Sequence, residues 1–375
     1  MTIGIDCRLY GLRHGGIGRY LAELVGNLSL LDQSNHYILY FNEPEFSQFS
    51  VPNGHWQKKL VNIPHYSLDE QTRFCHFLNR EPVDLIHFPH FNAPIWYRRP
   101  FVVTIHDLTL HLFPHKSYVP KWTLKKMIHV FAYRLITRMV TRHAKKVIAV
   151  SQSTKSDLQH QLRLDPEKII VVYEGAPEHF QRSSDSEIQS VLKKFSIGKP
   201  YLLYTGVWRS HKNLLNLIQA FVKVRASGRD IQLVLAGKKD PSCPEVPCLI
   251  SRLKLESDVI LTGFVEDAEL VALYSGTSAF VFPSLYEGFG LPPLEAMKLG
   301  VPVLCSNRSS LPEVCADAAL YFDPSRPEDI AAKITQLLGD PQLAEQLTQR
   351  GTQNLTRFSW KGMAGQILDL YNKVI

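Results

Sequence analysis

Six cysteines in 375 residues, with no repeated Cys-x-x-Cys, leave little for a disulfide framework or a structural zinc to use. Cys243 and Cys248 flank a proline-containing loop and are near enough in sequence to touch. Cys7, Cys75, Cys305 and Cys315 read as buried, reduced thiols. No uninterrupted apolar stretch approaches the roughly 18 residues that a transmembrane helix needs. The start, MTIGIDCRLYG, lacks a basic segment followed by an apolar one, so no secretory signal is expected and the chain reads as soluble and cytoplasmic. With 45% apolar and 21% charged residues, the composition is that of a globular protein and not of a disordered tail.

Acidic residues are missing from one long segment. Between Lys116 and Lys155 there are ten Lys or Arg and no Asp or Glu. Residues 1–180 carry 21 basic and 15 acidic side chains, residues 181–375 carry 21 and 20, and the net charge is +7. Such a run reads either as a solvated helix face or as a surface for anionic lipid or a phosphorylated acceptor, at the inner face of a membrane.

The length suits two or three domains, and short β-branched runs alternate with amphipathic stretches throughout. Strands are expected at 2–6, 37–41, 84–88, 101–106, 146–151 and 168–173. A second series is expected at 201–206, 231–237, 258–263, 278–284 and 302–307. Helices are expected at 18–30, 122–143, 213–224 and 327–338, with another near the end carrying Met363, Ile367, Leu370 and Val374 on one face. In the second of these, Leu124, Ile128, Phe131, Leu135 and Met139 form an apolar stripe, and Arg134, Arg138 and Arg142 a separate one. This alternation predicts an α/β protein with parallel sheets covered on both faces. A polar stretch around Gly175–Gly198 divides the two series into two Rossmann-like domains, 1–175 and 176–357. Ligands of such sheets bind at the carboxyl ends of the strands, which directs attention to particular loops and to a cleft between the domains.

The first loop, Gly11 to Tyr20, contains Gly15, Gly16 and Gly18 before a helix, where exposed amides suit a phosphate. Leu21 stands where the dinucleotide fingerprint needs its third glycine, which argues against an NAD-dependent oxidoreductase. A second loop, Gly206-Val-Trp-Arg209-Ser-His-Lys212-Asn213, offers a planar guanidinium and an ammonium for a diphosphate without a metal. The most specific segment runs from Val281 to Val303 and includes Glu287-Gly288-Phe289-Gly290-Leu291-Pro292-Pro293-Leu294-Glu295. Here a strand ends at a glycine-flanked loop and a proline-started helix follows. Two carboxylates can accept hydrogen bonds from diols at opposite ends of one ligand, while free helix amides face a phosphate or sugar. Among the histidines, His87, His90, His106, His111 and His115 cluster in sequence, but their spacing is poor for a metal site and none is expected.

The E-x7-E segment, with Ser309-Ser310-Leu-Pro-Glu313 after it, resembles the retaining glycosyltransferases of the GT-B fold, and within them family 4, the group-1 glycosyltransferases. The bacterial mannosyltransferases of polysaccharide and O-antigen synthesis are the most similar in pattern. That resemblance implies a C-terminal domain holding a nucleotide sugar, and an N-terminal domain binding the acceptor, onto which the last helix (358–375) crosses back. Glu295 would hold the ribose. Glu287, Gly288 and Phe289 would hold the donor sugar, and Arg209, Lys212, Gly16, Gly290 and Leu291 the diphosphate. Gly237, Phe264 and Val265 would meet the base. His106 and Glu287 would be the catalytic pair. His87, His90 and Asn92 follow another strand end, where they either line the acceptor side or fill a hydrogen-bonded structural role. No metal or other cofactor is implied, and mannose from GDP-mannose is the first donor expected, ahead of a UDP sugar. The expected acceptor is a glycan or lipid-linked saccharide. The chain departs from the family pattern at Glu174-Gly175, where relatives often carry Asn before Gly. A nucleotide-sugar epimerase of the same fold, or a non-catalytic module binding membrane or nucleic acid, is the competing reading. The latter leaves the 287–295 segment unexplained, and no nucleic-acid partner is expected.

Overall fold

The computed structural model describes residues 1–113, 124–240 and 243–375. His115, Lys116, Lys121 and Trp122, which belong to the histidine and basic segments above, lie outside the described residues. The chain divides into two compact units. One comprises Met1–Leu112, Thr123–Gly175 and Phe358–Ile375, and the other Phe113–Trp122 and Ala176–Arg357.

In the first unit, β1 (Thr2–Asp6), β2 (His36–Phe41), β3 (Trp56–Leu60), β4 (Leu85–Phe88), β5 (Phe101–Ile105), β6 (Lys146–Ala149) and β7 (Ile169–Val171) form one sheet. Its order is β3-β2-β1-β4-β5-β6-β7, parallel throughout. The central strands are buried on both faces, as their continuous apolar runs require. In the second unit, β8 (Tyr201–Thr205), β9 (Gln232–Ala236), β10 (Val259–Gly263), β11 (Ala279–Phe282), β12 (Val303–Ser306) and β13 (Ala319–Phe322) form a six-stranded parallel sheet in the order β10-β9-β8-β11-β12-β13. In both sheets the strand order reverses beside the first strand of the series, so the loops after β1 and β4, and after β8 and β11, diverge there and leave room for a ligand.

The polar stretch after Gly175 holds its own helix, Asp185–Lys194, started by a reciprocal capping box between Ser184 and Glu187. The terminal helix, Trp360–Val374, packs against the helix Gly15–Leu31 of the first unit and buries Met363, Ile367 and Leu370. Gly175 makes room for it: a Cβ there would stand 2.4 Å from Trp360. All six cysteines are free thiols, and no helix among the described residues is long and apolar enough to cross a membrane.

The helix Leu124–His143 does not bury the expected stripe. Val130, Tyr133, Thr137, Val140 and Thr141 face inward, and Ile128, Phe131 and Leu135 face out. Tyr133 explains the rotation, because its ring packs edge-on against Phe91 and His111 at 4.6 and 4.8 Å.

His87 takes the hydrogen-bonded structural role, the alternative to lining the acceptor side. It does not line a pocket: it is fully buried, with Nδ1 2.6 Å from Tyr371 Oη and Nε2 2.8 Å from Thr104 Oγ1. It therefore ties the terminal helix to β4 and β5. Burial, with a smaller contribution from His106, pushes its pKa down to about 3. The unfolded chain binds this proton near its ordinary pKa and the folded chain does not, so stability is complete above the ordinary value and is lost as pH falls toward 3. Denaturant unfolding between pH 7.5 and 4.5 should show this loss at up to about 1.4 kcal/mol per pH unit from this group. His87→Gln, which cannot titrate, should be less stable at the upper pH and show a shallower decline; an equal decline would assign the acid sensitivity elsewhere.

Candidate functional site

Glu295 owes its position to the helix Leu291–Lys298, which starts at Gly290 (φ 123°) with proline in its first turn. Its carboxylate is nearly buried and accepts a hydrogen bond from Tyr274 Oη at 3.0 Å. Thr205, at the end of β8, lies 2.7 Å from the same phenol oxygen. A phenol has one proton, so Thr205 donates to Tyr274 and Tyr274 to Glu295. This relay holds the carboxylate in one orientation.

The loop after β8 meets the loop after β11, because these strands pair. Asn213, in the left-handed conformation (φ 62°), donates from its amide to the carbonyls of Pro283 and Pro324 at 3.1 and 2.7 Å. The amide of Leu285 donates to the carbonyl of His211 at 2.7 Å. These ties bring Lys212 Nζ within 2.6 Å of Glu287 Oε1, both mostly buried. Lys212 also lies over the Phe282 ring. Arg209 has its Nε 3.9 Å from Asp240 Oδ2. The two basic residues of the expected clamp are thus each matched to a carboxylate.

The main chain of Glu287 and Phe289 is held by Ser309 and Ser310. Ser309 accepts from the Glu287 amide and donates to the Glu287 carbonyl, and Ser310 donates to the Phe289 carbonyl at 2.5 Å. The amides of the 288–291 turn are held in place as a result, which is what anion binding at a helix start requires. At the neighbouring strand ends, the Gly206 amide donates to Ala236 and the Gly237 amide to Gly263, each at 2.9 Å. Gly237 has φ 143°, and a Cβ there would stand 2.0 Å from the Gly206 carbonyl, so no other residue fits. Phe264 is exposed beside this edge and Val265 is buried.

In the first unit, Gly16 lies in the first turn of the helix Gly15–Leu31, and Cβ atoms built on Gly15 or Gly16 would meet nothing within 4 Å. Gly18 has a structural reason instead, its Cβ position being 1.9 Å from the Gly11 carbonyl. His106 follows β5 and is held at both ring nitrogens, Nδ1 3.0 Å from Glu174 Oε1 and Nε2 3.0 Å from the Pro89 carbonyl. Tyr20 packs edge-on against the ring at 4.8 Å.

Pro89 also borders a small recess with Asp6, His65, His90 and Asn92. The floor is a buried network. Arg8 donates to Asp6 from Nε and Nη2 at 2.8 and 2.7 Å and to Glu70 at 2.8 Å, and stacks on Phe74. Asn92 donates to Glu70. Burial would raise the Asp6 carboxyl, but the charge and hydrogen bonds of Arg8 outweigh it and hold the group below its usual range. Burial pushes the His90 imidazole well below its usual value, with His106 and His65 adding to this and Asp6 opposing it. His65 Nε2, His90 Nδ1 and Asn92 Oδ1 are buried without a protein partner. Among the described residues no cluster of three His, Cys, Asp or Glu side chains is arranged to hold a metal ion.

Residues 186–354 match the family described as "Glycosyl transferases group 1", and residues 14–179 the one described as "Glycosyltransferase Family 4". The sequence is 30% identical over 372 residues to the O-antigen chain mannosyltransferase B of Escherichia coli, covering 95% of each chain. The chain belongs to the group-1, family-4 glycosyltransferases.

Solved structures agree on the fold. Sucrose-phosphate synthase from Thermosynechococcus elongatus superposes with a TM-score of 0.80 at 20% identity, over 100% of this chain and 99% of that one. HepE of Anabaena, solved with UDP and glucose, gives 0.76 at 18% identity over 100% of both. The glycosyltransferase is therefore a GT-B protein. Three of its site contacts escaped the sequence. Tyr274 behind Glu295, Glu174 behind His106, and the Asp6–Arg8–Glu70 network each join residues far apart along the chain. The only local signal was Glu174 itself, as a departure from the family pattern.

Proposed function

We propose that this glycosyltransferase moves a mannosyl residue from GDP-mannose to a glycan or lipid-linked saccharide, with retention of anomeric configuration and without a metal. The observation that carries the nucleotide-donor reading is the Thr205–Tyr274–Glu295 relay, which fixes the orientation of one buried carboxylate of the kind that binds a ribose diol. The mannosyl assignment is supported by the E. coli relative, whose name specifies that sugar and which matches along almost the whole chain. Lys212, Arg209 and the 289–291 amides supply cations and dipoles for the leaving diphosphate, so the charge developing in the transition state is met without a bound ion. In this reading the acceptor hydroxyl attacks from the face that the nucleotide leaves, and the leaving phosphate takes its proton. Glu287, engaged by Lys212, orients the sugar.

The recess of the first unit is assigned to an acceptor hydroxyl. His65, His90 and Asn92 each present a polar atom without a partner, and two carboxylates against one guanidinium disfavour an anionic group there.

Calorimetric titration with GDP, UDP and ADP, in EDTA and then with Mg²⁺, tests the donor half. GDP should bind in EDTA, and Glu295→Ala should weaken it by about 1–3 kcal/mol, the loss expected for a charge-assisted hydrogen bond. Tightest binding of UDP would overturn the GDP-mannose assignment, a strict need for Mg²⁺ the metal-free reading, and unchanged binding by Glu295→Ala the ribose assignment. Product analysis with GDP-mannose and a saccharide acceptor then distinguishes transfer from epimerisation.

A further inference from the structure

The outward face of the helix Leu124–His143 carries Met127, Ile128, Phe131 and Leu135 at 52%, 59%, 69% and 42% exposure. Arg134, Arg138 and Arg142 are also exposed on this helix. At 100° per residue these seven side chains fall within a sector of roughly 120°, so they share one face. They are separated along the axis instead. The apolar group precedes the arginine group by roughly 12 Å, at 1.5 Å per residue. Among the described residues no carboxylate pairs with any of the three arginines, and only Arg134 makes a side-chain bond, to the His111 carbonyl at 3.2 Å. The sequence from Lys116 to Lys155 contains no acidic residue that could compete.

We infer that this face docks on the surface of an anionic lipid bilayer, with Phe131, Ile128, Met127 and Leu135 in the acyl boundary and the arginines at the phosphates. An exposed apolar group of this size on a soluble face calls for a partner, and a helix of this polarity suits an interface where apolar and anionic layers lie side by side. The split along the axis fits a tilted helix whose amino-terminal end dips deeper than its carboxyl-terminal end. A second copy of the chain fits less well, because a twofold contact would set arginines against arginines. A nucleic acid would satisfy the arginines and leave the apolar group in water. The inference is independent of the donor and acceptor assignments.

Co-sedimentation of the full chain with vesicles tests it. Binding to vesicles containing about 30 mol% phosphatidylglycerol should exceed binding to pure phosphatidylcholine by about tenfold or more, and should fall in about 0.5 M salt. Phe131→Ser/Leu135→Ser and Arg138→Glu/Arg142→Glu should each reduce binding about tenfold, while nucleotide affinity stays at the wild-type value. The arginine pair is fully outside the core, so it keeps the test decisive if the first double variant folds poorly. Equal binding to both vesicle types, or wild-type binding by Arg138→Glu/Arg142→Glu, would overturn the inference. So would a concentration-dependent dimer that the same substitutions dissociate.

Discussion

His106→Ala is expected to lower kcat by about 10²–10³-fold while leaving nucleotide affinity close to wild type. The ring already has a fixed orientation, set by Glu174 on one nitrogen and the Pro89 carbonyl on the other. A group held in this way needs no reordering when charge develops, which is the condition under which a single donor contributes most. Glu174 is a positioning residue by the same geometry. Glu174→Gln keeps a hydrogen-bonding group and removes the charge, so it should lower kcat less than His106→Ala. Steady-state kinetics together with calorimetry separate the cases. A parallel loss of GDP binding in His106→Ala would show that the ring supports the fold of the site and not the reaction. An unchanged kcat in Glu174→Gln would remove the link between the two residues.

What could be read in advance followed physical range. All eleven expected strands are present within a few residues, because each is a short run rich in apolar and β-branched residues, which is a local property. The two strands that were not expected both lie at sheet edges. Trp56–Leu60 reads W-Q-K-K-L, a polar edge strand, and Ala319–Phe322 is four residues at the other sheet's edge. The helix Leu124–His143 shows the limit of periodicity. The expected apolar stripe stays outside, and the buried face carries Val130, Tyr133, Thr137, Val140 and Thr141, with Tyr133 packed against Phe91. The 287–295 segment announced its chemistry because its carboxylates, glycines and prolines are contiguous. By contrast, the partner of His87 is 284 residues away, that of His106 is 68 away and that of Glu295 is 21 away. Such pairings depend on which strands are neighbours, and spacing along the chain does not encode them.

Lys212 and Glu287 provide the second large effect, and a double-mutant cycle can divide it between stability and catalysis. Their 2.6 Å contact is mostly shielded from water, so Lys212→Met leaves a buried carboxylate without its cation. That loss should cost about 3 kcal/mol of stability and lower kcat/KM by about 10²–10³-fold. Glu287→Gln should be milder in stability, because an ammonium facing an amide retains one hydrogen bond, but it should still slow transfer if the carboxylate orients the sugar. The double variant Lys212→Met/Glu287→Gln removes both charges. Its stability should recover much of what Lys212→Met loses, while its activity should stay at or below that of the weaker single variant. Recovery of both would mean that the pair merely shapes the loop. Recovery of neither would mean that the second charge is satisfied elsewhere, with Lys212 acting alone on the diphosphate. Lys212→Arg refines the outcome: a guanidinium restores the ion pair, but its planar fork cannot occupy the same point over the Phe282 ring. Restored stability with turnover still reduced would therefore place the demand on the position of the ammonium and not on its charge.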